Sequence, residues 1–481
     1  MQEHTINKRR RTLALRFFTY GVMTLATAAI SIVCILLVLG YRFDFTKHTV
    51  SQGGLIQLQS FPNGAKVTFD KLILPFVTPG KRNVDAGKHT AVFQLDGYRE
   101  WSKSVTIKAG ELRWLNYARL IPQSITTSTV HEFTTVTGNV PTPDRKWMAI
   151  YGAADKPELS IADLRNNQEI KVQTVAIPAA SFTSVEGHPH QFSLVEWDFS
   201  GRYLLVRHTN GPKIEYLRID RTKPDDVKNV STQLGVTLSD IHFSGTSGNV
   251  FYGVQEGAIR KLDIGAGTIS EPVSSGVQSF TLYKTNGLVY VRDKGDKRSV
   301  GVSIDGESSE VRSYDTTEPV LTDVTSYFSH NYVAIARGTR VDVIKDPIGN
   351  TDNARKTVVT FQVPVGARWL QFSNNGRFVV AGTGTQFVTY DLETNEEFST
   401  NLPGNATDPT KPLQWLDDYY LVATPDKNLR LTEFDGANQN VITDVEPGLP
   451  VTLSDDSEAL FSIARTTRGY ALQSSKMIVE N

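Results

Sequence analysis

The chain has 481 residues, 40% of them hydrophobic and 21% charged, and a net charge of −1. That is too long for one compact core and too ordinary in composition for a disordered or low-complexity chain. A single cysteine, Cys34, excludes an intrachain disulfide framework. No strongly basic body is present to track a phosphate backbone, so no nucleic-acid partner is expected.

In the first sixteen residues five cations, Lys8, Arg9, Arg10, Arg11 and Arg16, stand against Glu3, so this tail is +4 and the rest of the chain −5. Residues 17–41, FFTYGVMTLATAAISIVCILLVLGY, then carry no charge over 25 positions. At ~1.5 Å per residue a helix there reaches roughly 37 Å, enough to cross a ~30 Å hydrocarbon core with some tilt. A transmembrane helix over 17–41 is therefore expected. Its N-terminal basic cluster outweighs Arg42 and Lys47 on the other side, which keeps residues 1–16 cytoplasmic and the bulk of the chain extracytoplasmic. A cleavable signal peptide is the rival reading, but the apolar run is long for one and no small-x-small site ends it before Arg42. Cys34, preceded by Val33, reads as a small hydrophobe inside the helix. Residues 42–54 read as a linker.

From 55 to 122 the runs LIQLQSF, AKVTFD, HTAVFQLD, REWSKSVTIK and LRWLNYARLI are punctuated by Gly64, Gly87, Gly97 and Gly110. Short alternating runs between turn residues predict a small antiparallel β-sandwich. Pro62 presets a turn, Gly64 accepts positive φ, and small Ala65 lets the next strand enter a packed sheet. The order Pro62-Asn63-Gly64-Ala65, Thr78-Pro79, Gly87-Lys88-His89, Gly97-Tyr98 resembles the PEGA domain, named for its Pro-Glu-Gly-Ala turn. Asn63 replaces the Glu, Lys71 follows Asp70 where a hairpin Gly is usual, and Phe76-Val77 precede Thr78-Pro79 in place of a Gly. The resemblance implies that Pro62, Gly64, Ala65, Thr78, Pro79, Gly87, His89, Gly97 and Tyr98 are structural. It implies no catalytic set, and a stalk or a module docking to wall or partner.

After Pro122 one pattern recurs: an apolar strand, Phe-Ser, a turn, and a second apolar strand. It appears in WDFSGRYLLV, IHFSGTSGNVFYGV, SYFSHNYVAIA, LQFSNNGRFVVAG and VTLSDDSEALFSIA. The anchor serines Ser200, Ser244, Ser329, Ser373 and Ser454 are 44, 85, 44 and 81 residues apart. Degenerate copies at 141–152, 282–291 and 413–423 bring the total to eight units of about 44 residues, the length of a four-stranded propeller blade. The unit resembles the Ser-x-x-Gly blades of bacterial periplasmic propellers, with Trp197-Asp198 only a chance likeness to the WD repeat. A β-propeller over 123–481 is expected, with eight blades or, alternatively, seven. Only 27 residues, 455–481, follow Ser454, too few for a complete blade. Residues 124–136, with Val130, Phe133 and Val136, are therefore expected to pair within the last blade and close the ring.

The chain is thus expected to be all-β apart from one N-terminal transmembrane helix. No Gly-x-Ser-x-Gly elbow occurs, and neither a cofactor nor a metal is expected. Candidate ligand-binding residues are Asp198, His242 and Gln371, placed near the axial mouth of the ring with Glu196 and Asp240 beside them. The bland reading, which is preferred, is that these groups bond neighbouring blades. His188-Pro189-His190 offers metal-ligand types without a third ligand. Asn229-Val-Ser and Asn405-Ala-Thr match glycan acceptors but serve equally as turns. These features predict a bacterial, non-enzymatic binding or scaffold protein tethered in the cell envelope, its partner a wall polymer or another envelope protein. A propeller hydrolase or lyase acting on envelope carbohydrate is the alternative.

Overall fold

The computed structural model describes residues 3–38, 41–44, 49–167, 169–316, 318–348, 356–405 and 408–479. Two compact units divide the chain, residues 1–123 and 124–481.

The first unit begins with one helix, α1 (Glu3–Val38), within which Arg16–Leu36 is long and apolar enough to cross a membrane. The basic tail is therefore helical rather than separate from the apolar run, and Tyr41, expected in the helix, is already in a strand. The flanking side chains at 8–11, 42 and 47 lie outside the described residues. Eight strands follow: β1 (Tyr41–Asp44), β2 (Thr49–Phe61), β3 (Lys66–Phe69), β4 (Leu72–Val77), β5 (Gly80–Asp85), β6 (Gly87–Gln94), β7 (Trp101–Ile107) and β8 (Leu112–Arg119). Most of the expected linker 42–54 is in fact paired, because Tyr41 to Asp44 run antiparallel to residues 49–52.

β4-β3-β6-β7 form one sheet of the sandwich, and β2 with β5 and β8 the other. Ile56, Leu58, Val67, Phe69, Phe93, Trp101, Val105 and Leu115 fill the space between them. The sandwich is not wholly antiparallel. After β7 the chain crosses to the other sheet and β8 runs parallel to β2 (Leu55↔Leu112, Leu58↔Leu115). The Pro62–Ala65 turn is clamped by Thr78: its hydroxyl accepts from Ala65 N (3.0 Å) and lies 2.6 Å from Ser60 Oγ, and its carbonyl accepts from Gly64 N (2.8 Å). Asp70 and Lys71 both have left-handed backbones (φ 49° and 70°), so the β3–β4 hairpin turns tightly without the expected glycine. Asp70 offsets the strain, its carboxylate accepting from Thr90 N (2.8 Å) and meeting His89 Nδ1 at 2.5 Å.

Among the described residues the second unit contains eight sheets, within 138–176, 190–229, 240–275, 277–314, 321–362, 369–401, 414–444 and 452–476, here blades 1 to 8. Seven are built in chain order from their own strands. In the third blade two short pieces, Thr268–Ile269 and Ser274–Ser275, share the outer position. First strands of neighbouring blades meet, which makes them the axial ones. The eighth blade has only three strands of its own. Its outer strand is β9 (Thr127–Phe133), antiparallel to Gly469–Lys476, with Phe133↔Tyr470 and Thr127↔Ser475. Residues 477–479 form no strand.

Apolar clusters lie between blades. Ala149 and Leu159 meet Leu204 and Leu217 between blades 1 and 2, and Val333 and Ile335 meet Val289 and Val302 between 4 and 5. Met148 and Ile150 meet Phe461, Ile463 and Val136 between 1 and 8. Alternating buried strands have no stable face alone, and stacking in a ring covers them all.

The turns after the axial strands explain the serine repeat and correct part of it. Thr142, Ser373 and Ser454 each accept from the N–H five residues on (Trp147, Phe378 and Ala459; 3.0 Å each). Their hydroxyls donate to Asp144, Asn375 and Asp456 at 2.6, 2.7 and 2.5 Å. Asp198 takes that serine's place in blade 2, accepting from Tyr203 N (2.9 Å), while Ser200 donates to it (2.6 Å). Ser200 is thus two positions out of register with Ser373. Ser329 is different again, lying with Phe328 in a two-residue turn of left-handed residues (φ 45° and 62°).

Candidate binding face of the propeller

The axial strands carry polar side chains that reach the next blade. Glu196 Oε1 accepts from Phe243 N and Asp323 Oδ2 from Phe372 N, both at 2.6 Å. Gln371 donates to Leu413 O (2.5 Å), Gln414 to Val451 O (2.6 Å), and Asn139 to Pro450 O (2.7 Å). These bonds join blades 2–3, 5–6, 6–7, 7–8 and 8–1. Burial pushes the Asp323 carboxyl up to about 6, with the N–H groups of Phe372 and Val324 pulling the other way.

The three sequence candidates do not converge. Asp198 is fully buried in its turn rather than at the axial mouth, its Oδ1 also holding Arg202 N (2.9 Å). Gln371 is used as a tie between blades. His242, on the first strand of blade 3, is the centre of a charge cluster. Its Nδ1 lies 2.8 Å from Glu196 Oε2 and its Nε2 3.6 Å from Asp240 Oδ1. Burial works against its charge, but Asp240 and Glu196 outweigh burial and raise its pKa to about 10. The carboxylates flank opposite ring nitrogens, so one metal ion cannot take all three groups. Among the described residues no group of three or more His, Cys, Asp or Glu is arranged to hold a metal.

The histidines of the 188–190 motif have separate tasks. His190 Nδ1 meets His208 Nε2 at 2.9 Å, and His208 Nδ1 meets Glu215 Oε2 at 3.2 Å. Glu215 also accepts from Thr183 N (2.8 Å) and Thr183 Oγ1 (2.6 Å), while the His188 carbonyl accepts from Asn210 (2.7 Å). The whole row pins the connection between blades 1 and 2, residues 177–189, onto blade 2. Burial holds the His208 pKa below the ordinary histidine value, with Glu215 opposing. Asn229, the first glycan candidate, caps the short helix Val230–Leu234 by accepting from Thr232 N (3.0 Å) and donates to Ser181 O (3.1 Å). The second, at 405, runs on into positions outside the described residues.

One feature without a trace in the repeat pattern is a cleft of about 350 Å³ spanning blades 6 to 8. Its walls come from the connections entering blades 7 and 8 and from the turns between second and third strands. Pro412, Pro425, Pro447 and Pro450 line it with Leu413, Val422 and Leu449, and Lys411 stands on its wall. Asp408 is occupied locally, accepting from Thr410 N (2.9 Å) and Thr410 Oγ1 (2.6 Å). Sequence reasoning missed this site, and four prolines in three successive connections were the available signal. The cleft suits an apolar group that ends in, or lies beside, an anion.

Residues 54–120 match the PEGA domain family. No curated protein matches the chain in sequence. Among solved structures the chain is similar to Kluyveromyces lactis Hsv2, with 11% identity, a TM-score of 0.40, and coverage of 70% of this chain and 98% of that one. The Cps50 (Swd1) β-propeller domain of Myceliophteria thermophila has 15% identity, a TM-score of 0.36, and coverage of 74% and 100%. An oligogalacturonate lyase in complex with manganese has 11% identity, a TM-score of 0.40, and coverage of 72% and 98%.

Proposed function

We propose that this chain is a single-pass bacterial envelope protein, N-terminus cytoplasmic, whose sandwich and propeller form an extracytoplasmic, non-enzymatic binding scaffold. The observation that carries the reading is the contrast within the ring. Several axial acids and amides are tied between blades, whereas the cleft of blades 6 to 8 is open, apolar and bears Lys411. α1 supports the anchor, and the PEGA domain supports a stalk or docking role. The ligand fitting the cleft is an extended apolar segment carrying a carboxylate or other anion, from a wall polymer or an envelope protein.

A photo-crosslinker at Thr385, in the full chain in membranes, tests this. It should trap an envelope component, and Lys411→Glu should reduce the adduct about tenfold, equivalent to ~1.4 kcal/mol. Placed at Thr285, on a turn between first and second strands, it should trap nothing. Equal trapping at both positions overturns the cleft as the seat. Turnover of purified wall glycan by the chain replaces the scaffold reading with the carbohydrate-cleaving one.

A further inference from the structure

We propose that the helix-proximal end of the sandwich rests on the lipid surface crossed by α1, with the tip of the β3–β4 hairpin seated among the headgroups. This depends on reading α1 as membrane-spanning.

Strand register identifies which end of the sandwich faces the helix. α1 ends at Val38, and only three residues later Tyr41 pairs with Gln52 on β2. The next pairs along β2 are Gly53↔Asp85 and Leu55↔Leu112. β5 ends at Asp85 and β6 begins at Gly87, so this turn joins the two sheets at the same end. Gly87 in turn pairs with Ile107, and Phe69 with Ala91 near the start of β6. The turns at 70–71, 85–87 and 108–111 therefore cluster where the chain leaves the helix. Those at 62–65, 77–80 and 95–100 lie at the far end.

The helix end has the larger share of exposed apolar groups, with Trp114, 38% exposed, lying midway along β8. Leu72 is 54% exposed, Ile73 73% and Leu112 45%, while Val77 is the exposed large hydrophobic at the far end. Lys71, Lys88 and Lys108, one beside each turn, are exposed too. Asp70, Asp85 and Glu111 share this end. Asp70 is held by His89 at 2.5 Å and Glu111 by Arg113 at 3.5 Å. Apolar side chains at a tip, flanked by lysines, match a bilayer interface: the chains enter the headgroup–acyl boundary and the ammonium groups reach phosphates. The left-handed Asp70-Lys71 turn presents Leu72 and Ile73 directly, and a short path from the helix holds them within reach of the surface.

The test uses the full chain in phosphatidylcholine–phosphatidylglycerol vesicles containing a nitroxide-labelled lipid. A bimane is placed at Cys34, or at Ile73→Cys or Lys66→Cys in a Cys34→Ala background. Lys66 is exposed at the far end, pairing with Gln94. The Ile73 label should be quenched at least threefold more than the Lys66 label, and a label at Lys71→Cys should behave like that at Ile73. Quenching at Cys34 with none beyond the Lys66 level at 71 and 73 overturns the inference and leaves the anchor standing. An unquenched Cys34 label removes the anchor reading, and this inference with it.

Discussion

Arg377 shows how single residues hold the blades. Its guanidinium makes a paired contact with Asp391 (2.9 and 2.7 Å) and also touches Glu393, with Arg377 and Asp391 almost closed to solvent. Arg377→Met should cost about 3–5 kcal/mol in urea unfolding, because it leaves a buried carboxylate without its partner. Adding Asp391→Leu should recover most of that loss; if it does not, packing rather than charge is at stake. His242 gives a pH-dependent counterpart. With its folded pKa near 10, the imidazolium's stabilisation is full below about 6.5 and fades as pH rises towards 10. The ring is about a third exposed, so screening trims the effect to ~2 kcal/mol across that window. The thermal midpoint should fall between pH 7 and 10 in the native chain and less steeply in His242→Gln. Parallel slopes would mean the cluster is not charged as described. From sequence, His242, Glu196 and Asp240 were legible as neighbours because they repeat before the Phe-Ser marker. Asp198 was misplaced because that marker hides an exchange of Asp and Ser within the turn.

Elements were more readable than sites. The eight units stood out because each blade repeats an apolar pair of strands around one turn, and the ring's closure was legible as a shortage of residues after Ser454. Deleting residues 123–136 should lower propeller stability by several kcal/mol, since it strips β9 and exposes the apolar side of blade 8. An unchanged thermal midpoint would make that pairing dispensable. In the sandwich, Gly64 has φ +93° and open space for 4 Å around the point where a Cβ would sit, so Gly64→Val meets backbone strain with room for its Cβ. A loss of ~1–3 kcal/mol in the sandwich transition is expected. The parallel β2–β8 pairing was not legible, because alternation records which side is buried and not which way a neighbour runs. The cleft of blades 6 to 8 was hidden for a related reason: most of its lining comes from four connecting segments, which carry no periodic signal.

For the whole molecule, charge about α1 should decide orientation. Replacing Arg9, Arg10 and Arg11 with Glu should expose an N-terminal epitope to protease added outside intact cells, whereas the native tail stays protected. An equally protected tail in both would assign orientation to something other than the basic cluster. The closing strand has a consequence for how this molecule is made. Thr127 and its partner Ser475 bond at 2.9 Å across 348 positions of chain. At ~5–20 residues per second, roughly 20–70 s of synthesis separate them. During that interval β9 has been made and its partner has not, so its edge is an open invitation to mispairing. The composition of TSTVHEF answers that hazard: Val130 and Phe133 are its only large apolar side chains, the rest being hydroxyl, imidazole or carboxylate. Such a strand is a poor seed for aggregation while it waits, and a sufficient latch once the final blade arrives.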